Sequence, residues 1–169
     1  MIKVIAFDVF GTVFDLSRVD IEEIRAYAAH IRQPGWSPLH LPKSWETLPA
    51  HADAAEGIER LRSNFFVVTC SNGPLGLLAK LSKHNGISWD AIIPLELNKV
   101  FKPNGKAYLT VCEVLGMLPE EVMMVTANYK FGDLEASKAL GMEPMYIRGA
   151  SPVRDIIELA EIMQERSNG

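Results

Sequence analysis

Several side chains able to do chemistry stand at the ends of short apolar runs. Ile2 to Phe7 ends in Asp8, followed by Val9-Phe10-Gly11-Thr12. Phe65 to Cys70 ends in Thr69-Cys70-Ser71-Asn72, and Lys102-Pro103 follows a third run. Glu121 to Thr126 leads into Ala127-Asn128, with Asp133 just beyond. Together these supply two carboxylates, one ammonium, several hydroxyls and two amides. Such a set suits nucleophilic or acid–base work on a small ligand. Each residue alone has a plainer reading: a strand-terminal Asp is often a turn former, and a lone Lys is usually a solvated charge. Their recurrence in one order is the informative feature.

The elements that must carry them follow from periodicity. Bulky β-rich runs at 2–7, 65–70, 91–95, 121–126 and 144–147 read as buried strands. Amphipathic stretches between them read as helices. Ser17 is placed to cap one running to about Arg32, with Ile21, Ile24, Ala28 and Ile31 at helical spacing. Further helices are expected over 53–62, 75–83, 107–115, 134–140 and 152–164. The expected fold is therefore α/β: a Rossmann-like, five-stranded parallel sheet with helices on both faces. Ligands in such sheets bind beyond the carboxyl ends of the strands, where the polar residues collect.

Composition agrees. The 169 residues are 48% hydrophobic and 22% charged, and the net charge of −4 rests on 17 basic and 21 acidic residues. A chain this long buries a core without metal or disulfide staples. No basic run suggests nucleic-acid binding. No apolar stretch approaches the ~18 residues of a membrane span. Cys70 and Cys112 have no metal or redox spacing. Met1 to Asp8 lacks signal-peptide architecture and reads as the first strand. A cytoplasmic domain with neither nucleic-acid nor membrane partners is expected.

In their order, the four strand-end segments resemble the motifs of the haloacid dehalogenase superfamily of aspartate-nucleophile hydrolases. Phe7 to Asp15 is similar to the first motif, which makes Asp8 the nucleophile. Thr69-Cys70-Ser71-Asn72-Gly73 is similar to the second, where Ser71 binds the substrate's anionic group. Phe101-Lys102-Pro103 is similar to the third, with Lys102 balancing negative charge. Met124 to Met142 is similar to the fourth and contains Asp133. The implied chemistry is sound: a carboxylate is a weak nucleophile, yet it forms an ester that water then opens. It needs a nearby cation to stay ionised in a desolvated cleft. Thr12 and Ser71 donate without adding charge, and Gly11 permits a tight turn beside the nucleophile.

Phe10 separates the branches. Phosphatases of the superfamily carry a second Asp there, which protonates a departing alkoxide. Phenylalanine moves no proton, and a departing halide needs none. Asn128 falls where phosphatases place an acid that holds magnesium, a cation demanding several hard oxygens. Thr126-Ala127-Asn128 with Asp133, and Tyr108 after Lys102, resemble the 2-haloacid dehalogenases instead. The resemblance implies that Asp8 displaces halide from a small 2-halo acid. Asp133, Asn128 and Thr126 then position water on the ester, while Lys102 and Ser71 steady the charges. Substrate contacts are expected at Thr12, Ser71, Asn72, Tyr108, Thr126 and Asn128. No cofactor or metal is expected. A magnesium phosphatase would use Asp8 and Asp133 as ligands, and a binding or assembly domain without turnover is the other alternative.

The division expected is a catalytic core, 1–14 and 50–169, around an abbreviated helical cap, 15–49. Dehalogenases of this kind have a longer cap, which usually supplies an arginine that binds the substrate carboxylate or the halide. Arg18, Arg25 and Arg32 lie in the insertion, and Arg32 is the candidate. So short a cap excludes water poorly: either a second copy, forming a homodimer, closes the cleft, or the substrate is larger, or activity is low.

Overall fold

The computed structural model describes residues 1–30 and 42–169. Four short parallel strands form the sheet: β1 (Val4–Phe7), β2 (Phe66–Thr69), β3 (Val122–Thr126) and β4 (Glu143–Tyr146), in the order β2-β1-β3-β4. Phe7 pairs with Thr69 on one side and Val125 on the other, so the chain leaves β1, β2 and β3 at the same edge.

β1 is buried on both faces, as a central parallel strand must be. Alternation divides its side chains. Ile5 and Phe7 join a core with Ile58 and Leu61 of α2 (Ala54–Arg62), Leu78 and Leu81 of α3 (Leu75–His84), and Leu159 and Met163 of α6 (Ile156–Asn168). Val4 and Ala6 join Ala107, Tyr108 and Val111 of α4 (Gly105–Leu115), with Ala136 of α5 (Asp133–Ala139) partly buried beside them. Helices thus cover both faces.

The fifth strand expected over 91–95 does not form. Only Ala91 bridges to β2, opposite Val68. Side chains take the positions a ladder would need: Asp90 Oδ2 accepts from the Val67 N–H at 2.8 Å, and Thr69 Oγ1 accepts from the Ile93 N–H at 3.0 Å. Pro94 has no N–H to offer, and the chain turns into a 3₁₀ helix, Leu95–Leu97.

The insertion leaves and re-enters the core at one neck. Phe14 bridges Ala50, the Asp15 N–H donates to Pro49 O, and the His51 N–H donates to Val13 O. Its helix α1 (Ile21–His30) starts later than expected: Asp20, not Ser17, accepts from the first turn, at the Glu22 N–H. Ser17 instead closes a turn onto Asp15. A 3₁₀ helix, Lys43–Thr47, brings the chain back. Arg32, the expected cap arginine, lies outside the described residues. No helix among the described residues is long and apolar enough to cross a membrane.

Candidate active site

The strand ends converge as the parallel register requires. Asp8 follows β1. Its Oδ2 accepts from Thr12 Oγ1 at 2.9 Å and from Thr126 Oγ1 at 3.3 Å, while Oδ1 accepts from Lys102 Nζ at 2.9 Å. Lys102 Nζ also lies 3.1 Å from Asp133 Oδ1. Tyr108 donates to that same oxygen at 2.5 Å. One buried ammonium therefore bridges two carboxylates. Burial raises the Asp8 carboxyl above its usual range; Lys102 opposes this and the Asp133 charge adds to it. Burial alone would lower Lys102, but the two carboxylates override it and raise its pKa.

The backbone around the triad is held by side chains. Asn72 accepts from the Lys102 N–H at 2.7 Å and donates to Lys102 O at 3.0 Å. Its amide is thus engaged in fixing the lysine's loop. The nucleophile loop turns at Gly11, whose φ of +86° is open to glycine at little cost. Its carbonyls are gripped from two sides: His51 Nε2 lies 3.0 Å from Gly11 O, and Arg148 donates to Thr12 O at 3.0 and 3.1 Å. Arg148 is held by a two-pronged pair with Asp53. Asp53 also accepts from the Ile156 N–H. Despite partial burial, those bonds lower the Asp53 pKa.

Over the triad lies a cavity of about 160 Å³. Asp8, Ser71, Asn72, Lys102 and Asn128 line it from the sheet edge. The Ser71 hydroxyl accepts from the Gly73 N–H and keeps its own proton to donate. Thr12, Tyr108 and Thr126, with Asp133 of the triad, stand behind this wall: all four are fully buried and none lines the cavity.

The opposite wall is aromatic. Phe10, Tyr27 and Trp45 form a cluster with ring centroids 4.8 to 5.6 Å apart. Ile24 and Ala28 of α1 complete it. Gly73 makes room for Phe10, because a Cβ there would lie 2.5 Å from the ring. Tyr27 was not among the positions singled out in the sequence, although it lies next to Ala28 and three residues from Ile24 on α1, a spacing that would have placed it on the same stripe. Arg148, Asp53 and His51 carried no comparable signal, since their partners are remote in sequence. Cys70 is buried, and burial pushes its thiol up to about 12, far from a working nucleophile.

The donor set suits magnesium poorly. Lys102 occupies the space between the carboxylates, and Tyr108 takes part of Asp133, leaving Asp133 Oδ2 without a partner among the described residues. No group of three or more His, Cys, Asp or Glu among those residues is arranged to hold a metal.

Four parallel strands with a carboxylate–ammonium–carboxylate triad at their carboxyl edge define an α/β protein with a candidate catalytic site beyond its strand ends. Comparison with known proteins identifies its family. The haloacid dehalogenase-like hydrolase description matches residues 37–141. An (S)-2-haloacid dehalogenase from Xanthobacter autotrophicus is 30% identical, over 76% of this chain and 68% of that protein. A second, from Burkholderia cepacia, is 32% identical over 52% of this chain and 39% of its own length. Among solved structures, a defluorinating L-2-haloacid dehalogenase superimposes with a TM-score of 0.76 at 25% identity, covering 96% of this chain and 95% of that one. An L-2-haloacid dehalogenase from Xanthobacter autotrophicus, with chloropropionic acid covalently bound, gives 0.72 at 25% identity, over 90% and 80%. The chain belongs to the haloacid dehalogenase-like hydrolases.

Proposed function

We propose that the protein hydrolyses a small 2-halo acid, or a similar carbon electrophile, through an ester on Asp8. The observation that carries this reading is the Asp8–Lys102–Asp133 triad beneath a small apolar cavity. Asp8 attacks the halogen-bearing carbon. A C–O bond forms, the C–X bond breaks, and halide leaves with the electron pair. No proton is needed, which suits Phe10 at the cavity wall. Lys102 keeps Asp8 ionised until attack. Thr12 and Thr126 hold Oδ2 and so fix the carboxylate plane.

Water then adds to the ester carbonyl carbon, and its proton passes to Asp133 Oδ2, the oxygen without a partner among the described residues. Asn128 lines the cavity from which the water comes, and Thr126 acts from behind it, through its bond to Asp8 Oδ2. The acyl C–O bond then breaks, the departing alkoxide takes the proton back from Asp133, and the hydroxy acid leaves; the remaining water proton passes to solvent, restoring the Asp8 carboxylate. Ser71 meets the substrate's anionic group. Asn72 and Tyr108 are positioning residues in this scheme, one for Lys102 and one for Asp133. Residues 1–14 and 50–169 form the catalytic core, and the described part of the insertion 15–49 supplies its roof. The similarity of this chain to (S)-2-haloacid dehalogenases supports the substrate class.

The test is chloride release from 2-chloropropionate, with magnesium and with EDTA, beside an aryl phosphate. Chloride release insensitive to EDTA and absent in Asp8→Asn is expected. Phosphate release that needs magnesium would overturn the reading, as would chloride release that survives Asp8→Asn.

A further inference from the structure

The nucleophile loop is only as firm as its turn. Gly11, at φ +86°, lets the chain reverse between Asp8 and Thr12, but glycine is also the least restrained residue. One residue just past the insertion spans that turn. The His51 N–H donates to Val13 O at 2.9 Å, and His51 Nε2 lies 3.0 Å from Gly11 O. A carbonyl oxygen only accepts, so Nε2 must carry a proton. In the neutral ring this selects the Nε2–H tautomer, and a proton added at Nδ1 leaves that donor in place. His51 is itself anchored. Its carbonyl accepts from the Ala54 N–H at 3.0 Å, and the Ala50 N–H before it donates to Asn85 Oδ1 at 2.8 Å.

We propose that His51 is a positioning residue for the nucleophile: its ring N–H, given to Gly11 O, holds the turn that aims Thr12 at Asp8. The consequence for turnover rests on the displacement reading. Thr12 stands between the two carbonyls that His51 grips. Its Oγ1 accepts from the Ala127 N–H at 2.8 Å and donates to Asp8 Oδ2 at 2.9 Å. A loop free to shift at Gly11 would misalign that bond, and hydrogen bonds weaken steeply when misaligned. Two effects follow. The attacking carboxylate loses its fixed plane, and a misplacement of about 1 Å costs about a hundredfold in rate. Asp8 also loses a donor that lowers its pKa, so a carboxyl already raised by burial rises further. The charged groups around the ring are Asp15 on the neck and the Arg148–Asp53 pair that holds Thr12 O. The Ser17 N–H chiefly lowers the Asp15 pKa, and the His51 charge lowers it further.

The test needs no turnover in its first arm. Nitrogen NMR of the parent, at a pH where the ring is neutral, reads the His51 tautomer. Nε2–H is expected, and a proton on Nδ1 overturns the proposal. The second arm compares three variants. Gln places an amide N–H near the position of Nε2, Asn places one nearer Nδ1, and Phe keeps a ring without a donor. His51→Gln is expected to stay close to the parent. His51→Phe and His51→Asn are expected to lose about 10- to 100-fold in kcat on 2-chloropropionate, with KM little changed. In both, carboxyl-carbon NMR should show Asp8 titrating at higher pH than in the parent. A merely structural role would lower the melting temperature and leave the Asp8 titration where it was. His51→Phe with the parent's kcat and Asp8 titration overturns the proposal, as does an equal loss in His51→Gln and His51→Phe. A parent that releases no chloride overturns the displacement reading instead, and the tautomer and the Asp8 titration still decide the role of His51.

Discussion

At the level of single residues, the two carboxylates share one ammonium and are not equivalent. Because burial raises the Asp8 pKa, the acid limb of kcat/KM against pH is expected above the ordinary carboxylate range. The same shift has a sign for stability. A carboxyl with a raised folded pKa favours the fold when protonated, and that contribution is lost as pH rises through the folded pKa. Asp8→Asn is therefore expected to abolish turnover, by about a thousandfold or more, and to stabilise the fold at neutral pH by on the order of 1 kcal/mol. Thermal melts at pH 4 and 7 check this, since the gain should shrink at the lower pH. Tyr108→Phe removes the donor to Asp133 Oδ1. We expect the ester to accumulate, seen as a burst of halide followed by a slow phase, with a loss of about 1–3 kcal/mol in stability. The carboxylates, Lys102 and Ser71 were legible in the sequence because each belongs to a short segment at a strand end. Tyr27 was not singled out in the sequence, since nothing local reveals that its hydroxyl finds no partner among the described residues.

At the level of elements, the nucleophile loop is held by parts of the chain far from it. Arg148 reaches Thr12 O from beyond β4, and Asp53 at the start of α2 fixes Arg148. Arg148→Met is expected to lower kcat with KM little changed and to cost about 1–3 kcal/mol, as for losing hydrogen bonds to a charged group in a partly buried pair. A double variant with Asp53→Asn should lose less than the sum of the two singles, which denaturant titration would show. Asp53 also ties the start of α6 through the Ile156 N–H, and α2 approaches there at Gly57. A Cβ on Gly57 would meet Ile156 atoms at 2.6 to 2.8 Å. Gly57→Ala should therefore cost about 1–3 kcal/mol by overpacking and lower kcat as well, because it pushes on the same clamp. None of these links could be read from the sequence, where the partners are scattered. The strands were mostly legible, because buried parallel strands read as apolar runs. The missing fifth strand looked the same as the others, since Asp90 and Thr69 divert its ladder through side chains that periodicity does not weigh.

At the level of the whole molecule, the described part of the insertion is not a separate body. Tyr27, Trp45 and Leu48 belong to the same buried cluster as Phe7, Val67 and Leu78. The expected abbreviated cap therefore shares its hydrophobic core with the sheet. Heat or denaturant should unfold roof and core in one transition, with fluorescence and far-ultraviolet dichroism coinciding. The same sharing bears on how such an enzyme can change over generations. Where a lid folds by itself, its lining can mutate with little effect on the rest. Here any exchange of Phe10, Tyr27 or Trp45 that admits a new substrate also disturbs the packing that keeps the chain folded. New specificities should therefore arise only in lineages that first acquire spare stability elsewhere.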